Sequence, residues 1–295
     1  MICNLCPRNC GAERTETKAG GVCGQPAVPV AAKAMLHQWE EPCLVGEHGA
    51  GTVFFSGCNL RCCFCQNGPI SHGGVGKPVT AARLREIFKE LIAQGAACLD
   101  LVTPTHFTPV ILEALGEEDW GVPVVWNCGG YESAEILSML AGKVQVYLPD
   151  LKYADNALAA KLSAAPDYFE VACGALSEMF SQVGANVIED GLMKRGMIVR
   201  HLVLPGCRRD SIALLSELAR LLPVDKIKLS LMRQFTPDFV DRDKYPELCR
   251  RVTTFEYDSV VRHASSLGFD GYVQSAESAT SAYTPSFNCN DAFLV

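Results

Sequence analysis

Thr52-Val53-Phe54-Phe55-Ser56-Gly57-Cys58-Asn59-Leu60-Arg61-Cys62-Cys63-Phe64-Cys65-Gln66-Asn67 joins a short apolar run to a cysteine-rich loop, and the reading of the chain turns on it. Thr52 to Ser56 has the β-branched and aromatic composition of a strand. Working outward, short apolar runs alternate with helical patterns. Thr80 caps a helix with Leu84, Ile87, Phe88, Leu91 and Ile92 on one face, and Gly95 stops it. Cys98 to Val102 reads as a strand, Thr108-Pro109 opens a helix, Val122 to Trp126 is a strand, and Ser133 caps a helix through Leu140. Strands follow at Val144 to Leu148, Met197 to Val203, Lys226 to Leu231 and, briefly, Gly271 to Val273. Helices follow at Asn156 to Leu162, Leu176 to Val183, Asp210 to Leu222 and Phe255 to Ser266.

The strands are mostly continuous apolar runs, as expected where protein covers both faces of a sheet. About six βα units imply a parallel sheet with right-handed crossovers, short of the eight that close a full barrel. Either a partial barrel or a doubly wound sheet fits, and both put chemistry at the carboxyl ends of the strands. Residues 1–50 read as a Cys-rich, strand-poor N-terminal segment, 51–275 as the α/β body and 276–295 as a C-terminal tail.

The 295 residues carry 15 cysteines, many for a chain with ample core-forming residues, where a reducing compartment favours metal or iron–sulfur binding over disulfides. Cys58, Cys62 and Cys65 have the spacing C-x3-C-x2-C. Three thiolates on one loop can bind three irons of a [4Fe–4S] cluster and leave the fourth without a protein ligand, as a catalytic metal requires. A zinc knuckle would want a fourth ligand, and no His lies in the loop; Cys63 breaks the spacing on both sides and is a bystander. Upstream, Cys3, Cys6, Cys10 and Cys23 lie on a turn-rich stretch that suits a structural zinc or an auxiliary Fe–S cluster, with free thiols as the plainer reading. The scattered cysteines, Cys43, Cys63, Cys98, Cys128, Cys173, Cys207, Cys249 and Cys289, read as small core hydrophobes.

The cysteine loop, with an aromatic before its last Cys, resembles the signature of radical S-adenosylmethionine (SAM) enzymes. Leu36 to Pro42, Leu101 to His106, Tyr147 to Tyr153, Arg200 to Gly206 and Ser230 to Phe235 extend the similarity, over about residues 3 to 275, to the pyruvate formate-lyase activating enzymes and their PflX-type relatives. The fold this resemblance implies is a partial (β/α)6 barrel. The activity it implies is reductive cleavage of SAM at a [4Fe–4S] cluster held by Cys58, Cys62 and Cys65, giving a 5′-deoxyadenosyl radical that abstracts hydrogen from a glycine of a glycyl-radical enzyme. It places Phe64 and Gln66 beside the adenine, Thr103, Thr105 and Asn127 at strand ends facing SAM, and Arg200 near its carboxylate. Asp150 and Lys152 match a motif that lies against SAM, the Asp also helping to bind a monovalent cation. Gln234 stands where the activating enzyme has a SAM-contacting His. Thr103-Pro104-Thr105-His106 departs from the Gly-Gly-Glu type loop of many relatives, and His106 is open to two readings, a site residue or a strand-end histidine bonded to a neighbour. Flavodoxin or ferredoxin is the implied electron donor.

Two other functions are weighed: radical chemistry on a small molecule or peptide, and a non-catalytic Fe–S redox protein. A net charge of −7 without a basic block argues against nucleic acid. No apolar run is long enough to span a membrane, and the N-terminus lacks a basic-then-apolar leader, so a cytoplasmic location is expected.

Overall fold

The computed structural model describes residues 2–279 and 285–287. In chain order the elements are β1 (Val30–His37), α1 (Pro42–Val45), β2 (Ala50–Phe55), α2 (Gly68–Ser71), β3 (Lys77–Pro78), α3 (Ala81–Ala93), β4 (Leu99–Val102), α4 (Thr108–Leu115), β5 (Val124–Cys128), α5 (Ala134–Leu140), β6 (Val146–Pro149), α6 (Asn156–Ser163), α7 (Tyr168–Val183), β7 (Val187–Glu189), β8 (Leu192–Leu202), α8 (Arg208–Leu221), β9 (Lys228–Met232), α9 (Thr254–Ser266) and β10 (Gly271–Val273). One sheet runs in the order β10-β9-β8-β6-β5-β4-β2-β1-β3, with β7 paired to β8.

From β2 through β10 that path is parallel throughout, and helices fill each crossover, so six βα units precede the last strand. The path is open among the described residues: it ends at β10 on one side and β3 on the other. The fold is mixed α/β with a central parallel sheet, as the continuous apolar runs demand. Helix starts follow their capping chemistry: the Thr80 side chain accepts from Arg83 N–H, and the Ser133 side chain from Ile136 N–H. In α3 the buried residues are Leu84, Ile87, Phe88 and Leu91, the stripe that the spacing implies.

Three readings are corrected. Residues 1–50 are not strand-poor: β1 is an eight-residue strand antiparallel to β2, with His37 opposite Ala50 and Met35 opposite Thr52. Its sequence, Val-Ala-Ala-Lys-Ala-Met-Leu-His, is rich in Ala, which carries little strand preference, and cross-strand pairing overrides that. The helix expected from Leu176 begins at Tyr168, because Tyr168 and Ala172 continue its buried face a further two turns. The strand expected from Met197 begins at Leu192, its first residues forming a hairpin with β7. Cys289 and most of the tail 276–295 lie outside the described residues. No helix among the described residues is long and apolar enough to cross a membrane.

Candidate functional site

The cysteine loop leaves the carboxyl end of β2 at Gly57, whose backbone has φ +79° and where a Cβ would stand 2.8 Å from the Cys23 carbonyl oxygen. Only glycine fits both the left-handed conformation and that close approach. Beyond it each of the three spaced thiols accepts a hydrogen bond: Cys58 from Leu60 N–H at 3.4 Å, Cys62 from the Ser163 hydroxyl at 2.9 Å, and Cys65 from the Ser71 hydroxyl at 3.2 Å. Burial pushes the Cys65 thiol up to about 11 and Cys58 higher still, the nearby Cys62 adding to both. The Cys63 thiol has Cys62, Glu247 and Lys161 for neighbours, and its N–H donates to the Leu162 carbonyl.

Beside the loop a cavity is lined by Cys62, Phe64, Cys65, Gln66, Asn127, Asp150, Lys152, Arg200 and Gln234, all singled out from the sequence, and also by His37, Trp39, Glu40, Glu41 and Gln274. The strand ends bring them together. Asp150 follows β6, forms a parallel bridge with Arg200 on β8, and its N–H bonds the Cys128 carbonyl at the end of β5. The Asp150 carboxylate is 2.5 Å from Lys152 Nζ and 2.9 Å from Arg200 Nε, and Arg200 Nη2 donates to Asn127 Oδ1 at 2.5 Å. Burial would raise the Asp150 carboxyl, but Lys152 and Arg200 outweigh it and hold it below the usual range. Each of its oxygens accepts from one of those two cations, Oδ2 from Lys152 and Oδ1 from Arg200. The junction needs Gly130: at φ +74° a Cβ there would be 2.1 Å from the Asp150 carbonyl oxygen. On the opposite wall Gln66 Nε2 donates to the Gln234 carbonyl at 2.7 Å, Gln234 Nε2 to Gln66 Oε1 at 3.2 Å, and Gln274 Nε2 to Gln234 Oε1 at 2.8 Å. Phe64 meets Phe235 edge-on at 6.3 Å.

Two expected contacts fall elsewhere. Thr105 is buried and its hydroxyl donates to Glu132 at 2.6 Å, and Thr103, at φ +58°, binds the Asn127 carbonyl through its N–H; neither lines the cavity. For His106 the structural alternative holds. Its Nε2 lies 2.7 Å from the Ser56 carbonyl, which makes it the donor, and burial lowers its pKa to about 3, so the ring is neutral.

The sequence reading missed the acidic wall. Because β1 runs antiparallel, Trp39-Glu40-Glu41 enters from the other end of the sheet, and Glu40 reaches Arg200 at 3.4 Å. Asp100, fully buried on β4, accepts from Thr52 at 3.3 Å and Asn127 at 3.5 Å. Asp100 Oδ1 and Glu41 Oε2 are buried without a hydrogen-bond partner. A strand-interior Asp such as Asp100 is the signal that could have been used, since a fully buried carboxyl needs partners.

Burial pushes the Asp100 carboxyl from 3.8 up to about 7, against the opposing pull of Arg200 and Asn127. The folded chain therefore holds a proton that the unfolded chain has released, so this contribution to stability is full below about pH 4, declines as pH rises through about 7, and is level above. Asp100→Asn is expected to flatten that decline in urea unfolding measured across this range; an unaltered slope would show that Asp100 titrates normally.

A [4Fe–4S] cluster and SAM can be tested against these residues. Three thiols with a donor each, on one loop, fit a cluster that keeps an open iron. The unpartnered carboxylate oxygen of Glu41, on the cavity wall, suits a cationic ligand such as a sulfonium, and the Lys152–Asp150–Arg200 array offers both signs of charge to an amino acid. Both groups fit. Among the described residues no three His, Cys, Asp or Glu side chains are arranged to hold a single metal ion.

Residues 45–153 match the family described as a 4Fe-4S single cluster domain. An uncharacterized protein of Methanocaldococcus jannaschii is 29% identical over 283 residues, covering 91% of this chain and 75% of that protein. A radical SAM methyltransferase from Sphaerobacter thermophilus superposes with a TM-score of 0.52 at 16% identity, over 76% of this chain and 66% of that one. A cysteine-to-serine mutant of spore photoproduct lyase gives 0.53 at 12% identity, over 81% and 79%. The chain thus has a fold similar to that of a radical SAM methyltransferase and of spore photoproduct lyase, and the stretch that matches the 4Fe-4S single cluster family includes the loop of Cys58, Cys62 and Cys65.

Proposed function

We propose that this protein is a radical SAM enzyme in which Cys58, Cys62 and Cys65 hold a [4Fe–4S] cluster and the adjoining cavity holds SAM. The observation that carries this reading is the meeting, at the carboxyl ends of one parallel sheet, of three hydrogen-bonded thiols with a cavity built on ion-paired polar groups. When bound, the cluster and SAM supply a one-electron reductive cleavage that yields methionine and a 5′-deoxyadenosyl radical. The chain's own residues do the rest. Leu60 N–H, Ser163 and Ser71 stabilise the thiolates and fix their direction. Lys152, Asp150, Arg200 and Asn127 form a preorganised polar end that orients an amino acid without rearranging. Phe64 with Phe235 gives an apolar wall, and the glutamine chain from Gln66 to Gln274 ties the loop to the ends of β9 and β10. Thr103 and Thr105 act as supports for Asn127 and Glu132.

The hydrogen donor in this reading is a backbone glycine of a glycyl-radical enzyme, supported by the motif resemblance, with flavodoxin or ferredoxin as electron source in the cytoplasm. One observation supports a second reading, radical chemistry on a small molecule or peptide: Glu40 and Glu41 add a polar wall to the cavity. Deuterium transfer separates the two. Incubated anaerobically with SAM, reductant and a glycine-deuterated candidate glycyl-radical enzyme, the protein is expected to release 5′-deoxyadenosine carrying deuterium. Release without deuterium would turn the assignment to the second reading, and no release would remove radical SAM chemistry.

A further inference from the structure

The four upstream cysteines are not used by the site described above, yet they are not on a loose leader. Short backbone pairings, Ile2 with Glu13 and Gly20 with Gln25, fold the segment back on itself. At Gly21, φ +73°, a Cβ would lie 2.7 Å from Cys10 Sγ, so the turn closes directly on a thiol. Cys6 is near enough to Cys3 and Cys23 to feel their charge, as Cys23 is to Cys3 and Cys10. Cys6 accepts the N–H of Arg8 and Cys23 that of Gln25, each two residues on, and Cys3 accepts from Arg14 Nη1 at 3.3 Å. Backbone donors two residues after a cysteine, and a cation beside the group, are what a set of thiolates requires.

The same segment is fastened to the cysteine loop. Arg8 donates to the carbonyls of Asn59 at 2.6 Å and Ser163 at 3.2 Å, Arg61 donates to the Val22 carbonyl, and the Cys23 carbonyl lies against Gly57. Arg14 reaches the His106 carbonyl at 2.9 Å.

We propose that Cys3, Cys6, Cys10 and Cys23 form a second metal centre, a tetrathiolate site for an iron–sulfur cluster, that pins the N-terminal segment to the back of the cysteine loop. Each thiol binds as a thiolate, so loading releases four protons. The centre stands independently of the function proposed above.

The test uses the full chain with Cys58, Cys62 and Cys65 all changed to Ala, purified anaerobically and analysed for iron, sulfide and zinc. About four irons with sulfide should remain per chain, and zinc in their place would overturn the cluster assignment. Cys10 supplies a second readout in the otherwise unaltered protein, because it is exposed. An exposed thiol resists iodoacetamide only when ligated, so Cys10 should stay unlabelled until a chelator strips the metal. A triple variant free of metal, or rapid alkylation of Cys10 in metal-loaded protein, would overturn the proposal.

Discussion

Changing Cys58, Cys62 and Cys65 together to Ala is expected to reduce 5′-deoxyadenosine release from SAM to background and to remove the iron bound by the loop. The effect is large because each thiol has its own donor, from Leu60, Ser163 or Ser71. Cys63, the nearest alternative, has its thiol beside Lys161 and Glu247. Cys63→Ala should therefore keep both the iron and the activity within about twofold, since it touches none of those donors. Full activity in the triple variant, or its loss in Cys63→Ala with the fold intact by circular dichroism, would reassign the ligands.

The second large effect lies at Asp150. Its side chain is 19% exposed, with Lys152 at 18% and Arg200 at 16%, so three charges share a poorly solvated site. Replacing Asp150 by Ala leaves two cations facing each other without their common partner, and breaking such a buried pair costs about 3–5 kcal/mol. Asp150→Asn keeps the shape and an acceptor oxygen and should cost less. Urea unfolding of both variants measures this, and calorimetric titration with SAM should show the loss of affinity following the same order. A stability change in Asp150→Ala below about 1 kcal/mol would mean that water, not Asp150, satisfies Lys152 and Arg200.

Much of the fold was legible because a parallel sheet buried on both faces leaves continuous apolar runs such as Val124-Val125-Trp126, and because Thr80 and Ser133 mark helix starts by capping chemistry. β1 was not legible, since an Ala-rich stretch takes strand form only through its pairing with β2. That one miss hid the acidic wall, because Glu40 and Glu41 follow directly on β1 and reach the cavity through its antiparallel course. Asp150, Lys152 and Arg200 were legible as strand-end residues, whereas their mutual ion pairing depends on the bridge between Asp150 and Arg200, a contact 50 residues apart in sequence. Thr105 was misdirected for the converse reason: a hydroxyl at a strand end also serves the nearest buried carboxyl, here Glu132.

Electron paramagnetic resonance of the reduced protein, recorded with and without SAM, bears most directly on whether three thiolates here leave a metal position open. A cluster held by Cys58, Cys62 and Cys65 should give a signal whose g values shift when SAM is added, and the shift should vanish in the Cys58/Cys62/Cys65→Ala variant. A reduced spectrum indifferent to SAM would mean that every metal position is already filled by the protein.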